Sequence, residues 1–143
     1  MLTRRSFIAT LAATAAVGTL AGPFAARAAQ PTVEIIALAH SPVQTALKPV
    51  RDFLGTVGNR VQVVELDAES PQGAKRLAAV GVKGHVPILL LINGSDRFKR
   101  ADGTVVEFKD FPAKAGNPLG LNGSWTVADF ESAINTVLGA AAK

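Results

Sequence analysis

The sequence contains no cysteine, and this absence excludes both disulfide bonds and any thiol chemistry. It also contains no glycine-rich phosphate-binding loop, no Ser-His-Asp arrangement and no apolar run long enough to span a bilayer permanently. A degenerate hydrolase or peroxidase-like enzyme would need a nucleophile and a base, and no such pair stands out. We therefore expect a protein that is not an enzyme.

A strong charge imbalance is also lacking outside the N-terminus. The whole chain has 15 Lys and Arg against 11 Asp and Glu, a net charge of +4. Arg4, Arg5 and Arg27 lie in the first 28 residues, which contain no acidic residue, so the remainder has 12 basic and 11 acidic residues and a net charge of +1. The positive charge of the whole chain is thus no evidence for binding to nucleic acid or to a membrane, and no nucleic-acid partner is expected.

Residues 1–28 have the pattern of an export signal. The run TRRSF at 3–7 pairs two arginines, residues 9–21 are mildly apolar, and ARA at 26–28 fits a cleavage site. This resembles a twin-arginine signal and predicts a periplasmic protein with no stable membrane span after processing. The mature domain would then be residues 29–143. The alternative is an uncleaved N-terminal anchor.

Hydrophobic patterning predicts an α/β domain after the signal. Apolar runs at 33–38 (VEIIAL) and 61–66 (VQVVEL) predict strands, and helical periodicity begins near residues 41, 71 and 127. The unbroken run in 86–92 predicts a central strand, which Asn93-Gly94 would turn into an antiparallel neighbour. The predicted order is β-α-β-α-β-β-α, with a mixed sheet of four to five strands and helices on both faces.

Capping residues mark the predicted helix starts. Ser41 as N-cap and Gln44 at the third helical position predict a capping box for the first helix. Ser70 precedes a proline and predicts the second start. Thr126 and Asp129 have the spacing of a cap for the last helix. Between the last strand and that helix, residues 110–124 form a long Pro- and Gly-containing loop with a candidate functional role.

Pro87 has no N–H group to donate to a sheet, so it is expected at the first residue of the central strand or beside a bulge. A proline there is a candidate for a cis peptide bond, because folded proteins retain the cis form where the backbone requires it. The alternative is a trans proline that simply begins the strand. Physical reasoning by itself favours the trans form.

Residues 61–94, VQVVELDAESPQGAKRLAAVGVKGHVPILLLING, resemble the second strand, second helix, Gly-x-x-Gly turn, cis-proline and third strand of thioredoxin. The resemblance implies a thioredoxin-like fold over nearly the whole mature chain. It also implies that the 86–87 bond is cis, against the preference above. One departure is His85, an extra residue between Gly84 and the Val-Pro pair.

The catalytic motif of thioredoxin, Trp-Cys-Gly-Pro-Cys, aligns with Ala39-His40-Ser41-Pro42-Val43. His40 and Val43 occupy the two cysteine positions, so dithiol–disulfide exchange is excluded. Glu34 falls where the family has a buried acid, which makes it a candidate buried acid here. The alternative is a solvated residue at a strand start.

The resemblance implies a groove beside the proline that binds an extended peptide. We therefore expect a periplasmic protein or peptide as partner, in an assembly or chaperone-like role. The expected groove residues are His40, Ser41, Pro42, Val43, His85, Val86, Pro87 and, as an aromatic anchor, Trp125. The alternative for Trp125 is packing at the start of the last helix.

The alternative function is a carrier of a small ligand or metal ion. His40 and His85 are the two histidines of the chain, and the resemblance would place both beside the groove. Two imidazoles without a third ligand form a weak metal site, and unrelated surface histidines remain the other interpretation. Apart from such a metal ion, no cofactor is expected.

Overall fold

The computed structural model describes residues 29–113, 120 and 122–141. The expected signal at 1–28 and part of the 110–124 loop lie outside this range. The elements are β1 (Thr32–Ala37), α1 (Ser41–Val57), a 3₁₀ turn (Gly58–Arg60), β2 (Gln62–Asp67), α2 (Pro71–Ala79), β3 (Ile88–Ile92), β4 (Arg97–Lys99), β5 (Val105–Glu107) and α3 (Val127–Ala141). None of the helices described is both long and apolar enough to cross a membrane.

The main sheet has three strands in the order β2-β1-β3. Strand β1 runs parallel to β2, with Ala37 opposite Asp67, and antiparallel to β3, with Ala37 opposite Ile88. All five residues of β3 are buried, as the unbroken apolar run predicts. A mixed α/β fold is therefore confirmed.

Strands β4 and β5 form a separate antiparallel pair, so three strands follow α2 where the predicted order has two. The segment after β5 then returns alongside β3. The N–H of Leu90 donates to the carbonyl of Phe108 at 2.9 Å, and the N–H of Asp110 donates to the carbonyl of Ile88 at 2.9 Å. The neighbour of β3 is thus residues 108–110 and not the strand directly after the turn, and the expected single sheet of four to five strands is present only in part.

The Asn93-Gly94 turn is confirmed. Both residues have positive φ angles, 51° and 81°, as a two-residue type I′ connection requires. Ile92 and Ser95 exchange backbone hydrogen bonds of 2.8 and 3.1 Å across it. The Asn93 side chain also accepts a bond from the N–H of Thr32 at 2.9 Å, which fixes the turn to the start of β1.

Helices α1 and α2 cover opposite faces of the main sheet. Glu34 on β1 meets Arg76 of α2, whereas Glu65 on β2 meets Arg51 of α1. Glu65 is the register partner of Ile35, whose side chain points away from that of its neighbour Glu34. Helix α3 packs against α1 and therefore lies on the α1 face.

An aromatic cluster fills the core between α3 and the segment after β5. Phe108 meets Trp125 and Phe130 edge to face, with ring centroids 5.8 and 5.7 Å apart, and Phe53 reaches Phe130 from α1. Edge-to-face contacts of this kind stabilise a core beyond their buried area. The aliphatic core consists mainly of Val33, Ile35, Ile36, Leu47, Val50, Ile88, Leu89, Leu90, Leu91 and Ile134.

Two of the three predicted helix caps are confirmed. The Ser70 hydroxyl accepts the N–H of Gly73 at 3.0 Å, and Thr126 and Asp129 cap each other reciprocally. The third prediction is wrong: the N-cap of α1 is His40, whose side chain makes no cap bond. Gln44 instead donates to the carbonyl of Leu38 at 2.7 Å, because that carbonyl lies at the end of β1 within its reach.

The expected cis bond before Pro87 is wrong, since no peptide bond in the described residues is cis. Pro87 directly precedes β3, as Pro at the first position of a strand should. Its carbonyl accepts the N–H of Leu38 at 3.0 Å. The bond before Pro87 is therefore trans, as physical reasoning favours. The hydrogen bond to Leu38 holds Pro87 against the end of β1.

Candidate functional site

The end of β1 and the start of β3 bring two predicted site segments together. The pairing of Ala37 with Ile88 continues one step further, through the bond from the Leu38 N–H to the Pro87 carbonyl. The pairing between the two strands ends there, so the chain that leads to His40 and the chain that leads back to His85 depart from the same end of the sheet.

Four of the predicted groove residues are exposed at this place: His40, Ser41, Pro42 and His85. We call these four residues the histidine junction. The other three predicted residues beside it, Val43, Val86 and Pro87, are buried. They pack beneath the exposed residues and are not available for direct contact with a partner.

The histidine junction includes the first turn of α1, whose free N–H groups and helix dipole favour negatively charged or hydrogen-bond-accepting groups. No acidic residue of the helix itself offsets this potential in that turn. The His40 imidazole contacts the carboxylate of Glu69, with Nε2 and Oε2 4.0 Å apart and both side chains about 60% exposed. A contact so exposed is weak, so the His40 imidazole stays available to a partner.

The Glu34 side chain is largely buried, and its carboxylate is paired with a cationic side chain. Its carboxylate forms a two-pronged ion pair with Arg76, both N···O distances being 2.6 Å. The hydrogen bonds that Arg76 donates to Glu34 raise the pKa of Arg76 above its usual value, against the opposing effect of burial. This pair joins β1 to α2 on the face opposite α1, so Glu34 serves to attach a helix.

Trp125 is fully buried and cannot be a surface anchor in this structure. Its indole N–H points to the carbonyls of Lys109 and Asp110, at 3.2 and 3.3 Å. A buried tryptophan that satisfies its N–H in this way is a core residue. The packing interpretation therefore describes Trp125, and the expectation of a partner contact is wrong.

The metal alternative stays a prediction. In the part of the chain that the structure describes, no three His, Asp or Glu side chains are grouped so that they could hold a metal ion. A resident metal site in proteins normally needs at least three protein ligands. What supports the metal alternative is that the segments containing His40 and His85 depart from the same end of the sheet.

A cavity of about 300 Å³ lies on the α1 face beside β2, where the sequence analysis expects no site. It is lined by Ile35, Ala37, Ala39, Gln44, Arg51, Glu65, Leu66 and Asp67. Ala39 and Gln44 belong to the chain around the histidine junction, so the cavity adjoins it. The alternation of Glu65, Leu66 and Asp67 at the end of this strand is typical of a strand with one solvated face, and it is the sequence signal for this opening.

Comparison of the chain with family models, with curated proteins and with solved structures found no match in any of the three.

Proposed function

We propose that this protein is an exported thioredoxin-like domain that binds a partner protein or peptide at the histidine junction and does not exchange disulfides. The observation that carries the proposal is the 3.0 Å hydrogen bond between Leu38 and Pro87. It fixes the start of α1 against the segment before β3. In the thioredoxin resemblance these are the two segments that meet a substrate.

The topology is compatible with the proposed fold. Strand β1 lies between a parallel and an antiparallel neighbour, and helices cover both faces of the sheet. Helix α1 begins directly beyond β1, and α3 packs with α1 on the same face. This arrangement supports the resemblance of residues 61–94, which is itself a matter of sequence.

The residues at the positions of the thioredoxin motif allow binding of a partner but no redox chemistry. His40 lies at the position of the attacking cysteine and is exposed, whereas Val43, at the resolving position, is 1% exposed. An imidazole, a hydroxyl and the helix N–H groups offer hydrogen bonds to an extended peptide, but nothing there can form a mixed disulfide. The surface is therefore suited to holding a partner.

The experiment is site-specific photo-crosslinking in cells that express the full chain. A photoreactive amino acid replaces Ser41 or His85 in the histidine junction. In the matched control it replaces Gln72, which is exposed on α2 at the opposite face of the sheet. We expect one defined adduct from each junction position and none from the control.

A second step tests the imidazole. His40→Ala should weaken crosslinking from His85 at least tenfold, while the purified variant keeps the unfolding midpoint of the parent, because the His40 side chain is exposed and makes no cap bond. Equal adducts from Gln72, or no adduct from either junction position, would contradict the proposed function.

A further inference from the structure

Strand β2 forms one edge of the main sheet, and nothing in the described residues pairs with its outer side. The opposite edge, β3, is bonded to residues 108–110. Strands β4 and β5 contain only three residues each. At six residues, β2 therefore offers the longest open edge in the described part of the chain.

The direction of the backbone groups along β2 follows from two hydrogen bonds. The N–H of Gln62 donates to the carbonyl of Pro31 at 2.8 Å, and the N–H of Ala68 donates to the carbonyl of Ala37 at 2.9 Å. Both point towards β1. Successive residues of a strand point their backbone groups to alternate sides, so the N–H groups of Val63, Glu65 and Asp67 point outwards.

The outward carbonyls are available at two of these three residues. Those of Val63 and Glu65 have no backbone partner among the described residues, whereas the carbonyl of Asp67 accepts the N–H and the hydroxyl of Ser70 at 3.0 and 2.7 Å. The edge thus presents three donors and two acceptors in the spacing of a β-ladder. This is the pattern that an added strand would use.

The side chains beside this edge form a complementary surface. Val63 is 41% exposed and is one of two large exposed hydrophobic residues among those described. The cavity of about 300 Å³ opens on the same face, between β2 and α1. An alternating strand laid along β2 would therefore place one side chain against Val63, where an apolar residue fits, and the following ones on that face beside the cavity, whose lining includes Glu65 and Asp67.

The charge of the edge is negative towards its end. Glu65, Asp67 and Glu69 follow one another at every second residue. Arg51 pairs with Glu65, and in the described residues Asp67 has no ion pair with a cationic side chain. A basic side chain on the incoming strand would meet this end with opposite charge.

We propose that the outer edge of β2 binds an extended peptide segment of a partner protein as an additional strand, with an apolar side chain beside Val63 and a basic one beside Asp67. A second copy of the chain is a poorer occupant. It would bring another acidic strand, and the antiparallel register centred on Glu65 would set two carboxylates opposite each other.

The probe is a fluorescein-labelled eight-residue peptide that alternates threonine with valine and lysine. We expect it to bind the mature protein at or below about 1 mM, the weak end of specific recognition. The matched control peptide has the same side chains but is N-methylated on every backbone amide, so that it can donate no backbone hydrogen bond to β2 from either edge, and it should bind at least tenfold more weakly.

Amide exchange measured by NMR gives a readout at single residues. The peptide should slow exchange of the Val63 and Glu65 amides, which point outwards. It should leave the Val64 amide unchanged, since that amide is already bonded within the sheet.

Two variants test the protein side. Val63→Pro removes one outward N–H without touching the ladder to β1 and should cost at least tenfold in affinity, whereas Val63→Thr retains the N–H and should bind nearly as well. Asp67→Asn should reduce both the affinity for the lysine-containing peptide and its dependence on salt.

Several results would overturn the proposal: no binding at about 1 mM, equal binding of the methylated peptide, or no change in exchange at Val63. A dimer that depends on Val63 and forms without peptide would make a second copy the occupant and would equally overturn it. Crosslinking from Ser41 reports on the histidine junction and protection of the Val63 amide reports on β2, so failure here is distinguishable from failure of the histidine junction.

Discussion

At the scale of single residues, Gly73 is a position where the packing leaves no room for a side chain. It lies in the first turn of α2, close to the end of β2. A Cβ atom at this position would lie 1.9 Å from the Asp67 carbonyl oxygen and 3.0 Å from the Ala68 Cα. Both neighbours are backbone atoms, so no side-chain rotation can relieve the overlap.

We therefore expect Gly73→Ala to lower the free energy of unfolding by about 2 kcal/mol or more, because α2 must shift away from the sheet. Urea unfolding followed by circular dichroism measures this change. The matched control is Gly55→Ala in α1, where no atom of the described residues lies within 4 Å of the added Cβ. The control should raise stability by about 0.5–1 kcal/mol, since alanine favours a helix over glycine, and a loss in both variants would contradict the packing explanation.

The roles of Trp125 and Glu34 show how far the function of a single side chain can be predicted from the sequence. Residue type and spacing predict both alternatives for each, but the choice depends on contacts between residues far apart in the chain. The indole of Trp125 is satisfied by carbonyls 15 and 16 residues away, and the carboxylate of Glu34 by a guanidinium 42 residues away. Such partners leave no local pattern, so these two side chains could be assigned only from the structure.

At the scale of elements, local signals predict well where the cause is local. The turn Asn93-Gly94 and the cap Ser70 act within four residues, and both are present as predicted. Strand pairing is not local: the bridge between Leu89 and Lys109 depends on how the β4–β5 hairpin folds back. The neighbour of β3 and the division into two sheets could therefore not be predicted from apolar runs.

The turn at Gly94 gives a prediction at this scale. Its φ is 81°, and in the part of the chain that the structure describes no atom lies within 4 Å of an added Cβ, so a substitution there is penalised through the backbone and not by a clash. Gly94→Val should lower the free energy of unfolding by about 1–2 kcal/mol, because a β-branched residue resists the left-handed region. Gly94→Asn should cost less, since asparagine tolerates it. Equal urea midpoints for the two variants would contradict this account.

At the scale of the whole molecule, one ion pair joins the β4–β5 hairpin to α3. The guanidinium of Arg100 binds both carboxylate oxygens of Asp129, with N···O distances of 2.7 and 2.6 Å, and also donates to the carbonyl of Ser124. Asp129 is 9% exposed and at the same time caps α3 through Thr126. The hairpin, the end of the long loop and the last helix therefore meet at a single carboxylate.

This carboxylate makes the stability of the molecule depend on pH. The hydrogen bond from Arg100, aided by those from Thr126 and opposed by burial, lowers the pKa of Asp129 from 3.8 to about 2. A pKa lower in the folded than in the unfolded state adds stability above the unfolded value and loses it as pH falls towards the folded one. The contribution is about 2 kcal/mol at neutral pH and disappears between about pH 4 and pH 2.

We therefore expect Asp129→Asn to lower the free energy of unfolding by about 2 kcal/mol at pH 7, with the difference from the parent shrinking through pH 4 and nearly gone at pH 2. Urea unfolding of both proteins at these three pH values measures it. Asp52→Asn is the control, because its carboxylate is 62% exposed and pairs with Lys48 on the surface of α1, where such pairs contribute little. A difference for Asp129→Asn that stays constant from pH 7 to pH 2 would show that the side chain acts through its shape and not through its charge, and the hairpin would then be held to α3 by packing.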